Sequence, residues 1–293
     1  MSKICVVIAT YNEAENLQSL TAQIEEELGS RNFSLIIVDD NSPDKTARVA
    51  EEQNRIYGNV IVRTRAIKCG LGSAILEGLK TALDMKDVEQ VVTLDGDLSH
   101  NPREIPRLLH ASQKKGLVQG SRYVEHGTVI GWGLNRRLIS CGANLICKLL
   151  LRTSTQDCTG NFRVYSRECA EAIVNSTVTK GFEWVVEALL VAKKHGFLVR
   201  EVPITFVGRR EGKTKLKALE MLSWAIFATK SLFSLKPLNL NALAQSKHAI
   251  HRSSTFTVTA VAPITSATTY TLSRASPGLS DQAELMCSVR STE

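Results

Sequence analysis

Asp95 and Asp97 stand two residues apart with Gly96 between them, directly after the apolar run Val91-Val92-Thr93-Leu94. Read as a strand, that run sends both carboxylates out of one strand end, and the glycine lets a ligand approach the backbone between them. Hard oxygen ligands in this arrangement suit Mg²⁺ or Mn²⁺ shared with a diphosphate, whereas the same residues on a surface loop would be a solvated acidic turn. A second pair, Asp39-Asp40, closes the run Leu35–Val38. One carboxylate there can accept hydrogen bonds from a ribose or base, and the other can cap the helix that starts beyond Ser42-Pro43-Asp44. Basic residues recur as Arg122, Arg136, Arg137, Arg163, Arg209 and Lys215. Each alone reads as a solvated surface cation, but beside a metal-binding acidic pair they point to several phosphates, because guanidinium forks match phosphate oxygens bidentately.

Other chemistries find less support. No Gly-x-Ser-x-Gly elbow occurs, none of the six histidines sits in a motif with Ser or Cys, and Cys141, Cys147 and Cys158 read as packing residues. Glycoside hydrolysis needs carboxylates on both sides of a sugar, which two aspartates on one strand end do not provide. A nicotinamide-dinucleotide domain would carry its glycines after the first strand, where the sequence is Ala9-Thr10-Tyr11-Asn12-Glu13; Gly70-Leu71-Gly72 comes one unit too late. Aromatics make up only 5% of the chain, so no stacking platform for nucleic acid is visible and none is expected as a partner.

The elements that must position these residues are legible as alternation. Runs at Ile4–Ala9, Leu35–Val38, Val60–Val62 and Val91–Leu94 are each followed by a helical-period segment, at Glu13–Leu28, Lys45–Ile56, Gly72–Leu83 and Pro102–Lys114. That is the βαβ signature of an α/β protein with a mostly parallel sheet and helices on both faces, in which ligands bind beyond the carboxyl ends of the strands. An amphipathic helix with a basic fringe is expected over Asn135–Leu151, another helix over Phe182–Lys194, then a strand over Leu198–Phe206, a basic loop over 209–217 and an apolar segment over Leu216–Leu235.

The chain has 293 residues and a net charge of 36 − 29 = +7, with a mean hydropathy of −0.05, ample for a folded core. Seven cysteines, odd in number and never spaced as CxxC, argue against a disulfide framework and for a reducing compartment. No run of about 18 apolar residues occurs, since Leu216–Leu235 is interrupted by Lys217, Glu220 and Lys230, so that segment is expected to lie on a membrane rather than span it. The expected organisation is a catalytic domain over 1–236 and a Ser/Thr-rich tail over 237–293, without sustained period and disordered.

Taken in order, Tyr11-Asn12-Glu13 with Asn16, Ile37-Val38-Asp39-Asp40-Asn41-Ser42-Pro43-Asp44, Gly70-Leu71-Gly72-Ser73-Ala74, Asp95-Gly96-Asp97-Leu98-Ser99-His100, Gly120-Ser121-Arg122-Tyr123, Asp157-Cys158-Thr159-Gly160 and Phe206…Arg209…Gly212…Thr214-Lys215 follow a known pattern. Over about residues 3–236 the chain resembles the dolichyl-phosphate (polyprenyl-phosphate) mannosyltransferases, family 2 inverting glycosyltransferases with a GT-A (Rossmann-like) nucleotide-diphospho-sugar transferase fold. The resemblance implies transfer of mannose from GDP-mannose to dolichyl phosphate. It implies that Ala9, Tyr11, Glu13, Val38 and Asp40 hold the guanosine, and that Asp95, Gly96 and Asp97 hold the diphosphate with Mg²⁺ or Mn²⁺, the metal ligands being Asp95 and Asp97. Arg122, Arg209 and Lys215 would contact phosphates of the nucleotide sugar, while Arg136 and Ser140, with Arg122 and Arg209, would receive the lipid phosphate. The residues closest to the chemistry would be Asp97, Arg122 and Arg136.

It further implies a peripheral enzyme at the cytosolic face of the endoplasmic reticulum (the cytoplasmic membrane in a prokaryote), held there by small membrane subunits and serving protein glycosylation and GPI-anchor synthesis. The chain departs from the pattern at Ala9 (usually proline), Gly96 (usually alanine), Cys141 (commonly arginine) and Lys213 (often glutamate). The alternatives are a polyprenyl-phosphate glucosyltransferase using UDP-glucose and a non-catalytic nucleotide-sugar or lipid-phosphate binding protein.

Overall fold

The computed structural model describes residues 3–112, 116–150 and 153–208 and, in the C-terminal stretch, 255–261, 267–273 and 286–290. The chain divides into two compact units, Met1–Ser234 and Leu235–Glu293. The first begins with four βα repeats: β1 (Lys3–Thr10), α1 (Ala14–Leu28), β2 (Phe33–Asp39), α2 (Thr46–Tyr57), β3 (Val60–Thr64), α3 (Leu71–Leu83), β4 (Val88–Asp95) and, after a 3-10 turn at Pro102–Glu104, α4 (Ile105–Ala111). It continues through β5 (Gly116–Ser121), β6 (Thr128–Ile130), α5 (Leu134–Leu150), β7 (Arg163–Ser166), α6 (Arg167–Ser176), α7 (Trp184–Lys194), β8 (Leu198–Pro203) and β9 (Thr205–Val207).

Seven strands form one sheet in the order β3-β2-β1-β4-β7-β5-β8, parallel except for β7, which runs antiparallel to both neighbours. Alternation along each strand divides the core into two layers. On one face Cys5 and Val7 of β1 and Ile36 and Val38 of β2 join Ala74, Ile75 and Leu79 of α3 and much of α6 and α7. On the other, Ile4, Val6 and Ile8 with Leu35 and Ile37 pack against Leu17, Leu20 and Ile24 of α1 and Leu108 of α4. Successive side chains of a strand point to opposite faces, so a continuous apolar run is what a sheet covered on both sides requires. Strand order reverses between β1 and β4, and the crevice beyond their carboxyl ends is where such a sheet accepts ligands.

The second half departs from expectation. The stretch expected to be a single strand over Leu198–Phe206 is two: β8 pairs with β5, while β9 leaves the main sheet and pairs with β6. Pro203, which has no N–H to donate, ends β8, and Ile204 then bonds back through its N–H to the Ser121 carbonyl. The helix expected over Pro102–Lys114 is shorter, ending as an α-helix at Ala111, and 113–115 lie outside the described residues. In the second unit β10 (Thr255–Val261), β11 (Ala267–Ser273) and β12 (Met286–Arg290) form an antiparallel sheet where the composition pointed to a tail without elements. The segment Thr255-Phe256-Thr257-Val258-Thr259 does alternate with period two, and Thr and Val favour strands. The basic loop 209–217, with Arg209 and Lys215, and the apolar segment 216–235 lie outside the described residues. Among the described residues no helix is long and apolar enough to cross a membrane.

Candidate active site

β4 delivers Asp95 into the crevice in register with Ala9 of β1. A Cβ on Gly96 would lie 3.3 Å from Thr10 Cγ2 and 3.4 Å from Glu13 Cγ, so the acidic loop packs tightly on the β1–α1 connection. Asp95 Oδ1 accepts a hydrogen bond from Asn161 Nδ2 at 3.0 Å, and Asp97 Oδ1 accepts the Ser99 N–H at 3.0 Å. The Asp95 N–H donates to His100 Nδ1 at 3.1 Å, which places the ring proton on Nε2. His100 is buried, and burial pushes its pKa down although Asp95 and Asp97 act the other way, so the ring is neutral. It packs 5.1 Å from the Phe162 ring and 5.3 Å from Phe206.

The donor set fits a hard divalent cation. Two carboxylates lie at one strand end, and the buried Asn161 Oδ1 beside them has no hydrogen-bond partner. No group of three or more His, Cys, Asp or Glu able to hold a metal occurs among the described residues, so the remaining oxygens would come from a diphosphate and water, as is usual for Mg²⁺.

At the β1 and β2 ends the two aspartates of the second pair separate in role. Asp39 is fully buried, accepting Thr10 Oγ1 at 3.0 Å and the Ser42 N–H at 2.8 Å, so it organises the turn. Asp44 then accepts the Ala14 and Thr46 N–H groups at 3.0 Å; burial would raise its pKa, and these bonds with the Thr46 hydroxyl outweigh that and lower it. The loop after β2 thereby caps α1 as well as α2. Asp40 forms a buried ion pair with Arg65, which also donates to Ser73 Oγ at 2.7 Å and to the Gly70 carbonyl at 3.2 Å. Lys68 Nζ lies 3.8 Å from the Tyr11 ring centroid. Glu13 is buried and accepts from Asn16 Nδ2 at 2.8 Å. Val38 and Ala9 turn their side chains into the core, so at these positions the backbone is what a nucleoside could meet.

Beyond β5, Arg122 is buried and clamped. Nε and Nη2 donate to the two oxygens of Asp157, both at 2.7 Å, Nη2 also donates to Thr159 Oγ1 at 2.8 Å, and the Arg122 N–H donates to Asp157 at 3.0 Å. Burial would raise the Asp157 carboxyl, but the Arg122 guanidinium more than offsets this and holds it below the usual carboxylate range. Among the described residues Nη1 of Arg122 has no hydrogen-bond partner. Its guanidinium lies 5.4, 5.4 and 5.3 Å from the rings of Tyr123, Trp132 and Phe206. Tyr123 donates its hydroxyl to Ser140 Oγ at 2.7 Å, tying α5 to this cluster, and Arg136 of α5 lies 4.4 Å from the Trp132 ring. Through His100 and Phe206 the acidic pair and the arginine cluster form one contiguous set.

Several readings from sequence change. Arg163 is not a phosphate contact: it is fully buried in β7, donating to Gln119 Oε1 at 2.6 Å and to the Val185 carbonyl at 2.7 Å, so it is a core crosslink. Cys147 and Cys158 pack in the core as expected, but Cys141 is exposed on α5. Arg65, His100, Trp132, Asp157 and Asn161 enter the site without having been singled out. Of these, His100 and Asp157 lie inside motifs, whereas nothing in the local sequence marks Arg65, Trp132 or Asn161.

The sequence profile described as "Glycosyl transferase family 2" matches residues 5–174. The dolichol-phosphate mannosyltransferase of Pyrococcus furiosus is 36% identical over 218 residues, which is 73% of this chain but 59% of that protein. The undecaprenyl-phosphate mannosyltransferase of Micrococcus luteus is 32% identical over 215 residues, covering 73% of this chain and 87% of that protein. In fold, the chain is similar to glucosyl-3-phosphoglycerate synthase from Mycobacterium tuberculosis, solved with Mn²⁺, UDP and phosphoglyceric acid: TM-score 0.59, 17% identity, covering 93% of this chain and 87% of the other. A second structure of that enzyme, with Mg²⁺ and UDP, matches at a TM-score of 0.56 and 17% identity over 88% and 84% of the two chains. These likenesses, with the sheet order, establish the GT-A fold.

Proposed function

The chain belongs to glycosyl transferase family 2, and from that membership we propose that it transfers mannose, with inversion, from GDP-mannose to dolichyl or a related polyprenyl phosphate. The observation that carries the reading is the continuity of the site: a carboxylate pair at the switch point of the sheet runs through His100 and Phe206 to a buried arginine, and from there to an amphipathic helix bearing Arg136. A nucleotide sugar needs the first part and a lipid phosphate the second. The names of the two relatives point the same way.

An oxygen of the acceptor phosphate attacks the anomeric carbon opposite the leaving diphosphate. The new C–O bond forms as the bond to GDP breaks, and charge accumulates on the diphosphate. A phosphomonoester, with its second pKa at about 6, is already anionic near neutral pH and needs no general base. His100 is consistent with that, since its Nδ1 is occupied by the Asp95 N–H. Asp95 and Asp97 would hold Mg²⁺ or Mn²⁺, which when bound neutralises the departing diphosphate. Asp40, fixed by Arg65, and Tyr11, Glu13 and the backbone at Ala9 and Val38 orient the nucleoside. Arg122 presents Nη1 toward a phosphate while Asp157 fixes its other edge, and Arg136 with Ser140 positions the acceptor; Arg209 and Lys215 add phosphate contacts. Catalysis is then positioning and electrostatics between two converging anions.

Residues 1–236 form the catalytic unit in this reading. The enzyme works peripherally at the cytosolic face of the endoplasmic reticulum, or at the cytoplasmic membrane in a prokaryote, with small anchoring subunits, and its product serves protein glycosylation and GPI-anchor synthesis. The test is transfer of label from GDP-mannose, and separately from UDP-glucose, to dolichyl or undecaprenyl phosphate in liposomes with Mg²⁺ or Mn²⁺. Organic-extractable label from GDP-mannose alone is expected. Label from UDP-glucose alone would overturn the donor, and label from neither would leave a binding protein.

A further inference from the structure

We propose that Trp132 is the positioning residue of the phosphate end of the site, holding the Arg122 and Arg136 guanidiniums against one indole ring and offering its indole N–H to the incoming phosphomonoester. The proposal rests on the reading of these two arginines as phosphate contacts. Trp132 lies between β6 and α5, and both guanidinium carbons are near its ring, Arg136 at 4.4 Å and Arg122 at 5.4 Å from the centroid. Phe206 meets the same ring edge-to-face at 5.2 Å. Two cations aimed at one anion repel each other before it arrives. A second carboxylate, between them and in addition to Asp157, would relieve that repulsion but would also repel the phosphate. A neutral aromatic face attracts both guanidiniums without drawing on their N–H donors. Arg122 fits this division of labour, since Asp157 and Thr159 hold Nε and Nη2 while Nη1 has no hydrogen-bond partner among the described residues.

A second observation points to a ligand at the same place. The Trp132 indole N–H is buried and has no hydrogen-bond partner, although buried N–H groups are nearly always paired. The other described tryptophan, Trp184, does pair, donating to Thr177 Oγ1 at 3.1 Å. An orphaned donor on a ring that two arginines approach is matched by an oxygen-rich anion that enters on binding, and a phosphomonoester is the one the site calls for.

The test uses the full chain and its Trp132→Leu and Trp132→Phe variants. Affinity for a water-soluble short-chain prenyl monophosphate is measured by calorimetry, together with KM for the lipid phosphate and for GDP-mannose. Trp132→Leu, which loses ring and N–H, is expected to weaken prenyl-phosphate binding about tenfold, about 1.4 kcal/mol. KM for the nucleotide sugar should move by less than about twofold, a split that a general loss of packing would not produce. Trp132→Phe keeps a ring without the N–H and should fall between; wild-type affinity in that variant would overturn the role of the N–H. An unchanged affinity in Trp132→Leu, or equal losses toward both substrates with a lowered Tm, would overturn the proposal. The two readings fail separately. A wild-type protein that transfers no sugar yet binds prenyl phosphate through Trp132 removes the mannosyl-transfer reading and keeps this one. Sugar transfer with an acceptor affinity indifferent to Trp132 does the reverse.

Discussion

Asp97 is only 9% exposed and already accepts the Ser99 N–H, so its carboxylate is oriented before any ligand arrives. Asp97→Asn keeps the shape and removes a charge, and is expected to lower sugar transfer by about 100-fold or more, the scale of losing one preorganised electrostatic contact. Turnover close to wild type would sink the metal assignment. Asp157 is a different case, because its charge is spent on Arg122. Asp157→Asn leaves a buried guanidinium unpaired and should cost about 3–5 kcal/mol in urea unfolding at pH 7. The Asp157 carboxyl is lowered in the folded protein, so its stabilisation is complete above the unfolded carboxylate value of about 3.9 and is lost as pH falls through the lower folded value. The gap between wild type and Asp157→Asn should therefore be full at pH 7 and narrow below about pH 4. A gap constant with pH would show that Asp157 acts through shape alone. At this scale the site was half legible: residues on strand ends announce themselves by following an apolar run, as Asp39 and Asp95 do. Arg65 and Asp157 acquire their roles only from pairings 25 and 35 residues away, which no local pattern encodes.

Helix α3 shows how elements hold the loops of the site. Its first turn docks under α7, where a Cβ on Gly72 would lie 2.3 Å from Trp184 Cβ and 2.7 Å from the Gly181 carbonyl oxygen. Gly72→Ala must push the two helices apart, at an expected cost of about 1–3 kcal/mol in chemical denaturation. Because the same turn carries Ser73, which accepts from Arg65, nucleotide affinity should fall as well. Unchanged stability would mean that α3 shifts without strain. The four leading βα repeats could be read because each strand is a long apolar run buried on both faces. β7 could not: its sequence is Arg163-Val164-Tyr165-Ser166, four residues opening on a charge. That arginine tolerates burial because Gln119 and main-chain carbonyls take its donors, a tertiary arrangement that overrides the surface preference of its residue type. α6 follows immediately, its start marked only by Ser166, whose hydroxyl accepts the Cys169 N–H.

For the whole molecule, the proposed acceptor sets a constraint that the surface must meet, since a polyprenyl tail stays in the bilayer and the site has to come to it. α5 is the described element suited to that. Leu134, Leu138, Ile139 and Leu145 are 71, 61, 55 and 55% exposed, while Asn144 and Cys147 on the same helix are buried. A folded protein seldom leaves such a stripe uncovered, and here Arg136 and Arg137 stand within it, the combination by which an interfacial helix engages anionic lipid. The same helix carries Arg136 and Ser140, so docking by α5 would bring the acceptor-phosphate site to headgroup depth with no further movement. Each large apolar side chain that enters the interface contributes about 1.5–3 kcal/mol when fully buried, and partial entry contributes less. Replacing Leu138 and Leu145 together by Asp should therefore lower partitioning onto anionic liposomes by more than about tenfold. Transfer to a short-chain, water-soluble acceptor should be nearly unchanged, because neither leucine belongs to the arginine cluster. Wild-type partitioning in the double variant would place docking elsewhere, with the 209–235 segment the next to remove. Loss of transfer to both acceptors would show instead that this face of α5 supports the site itself.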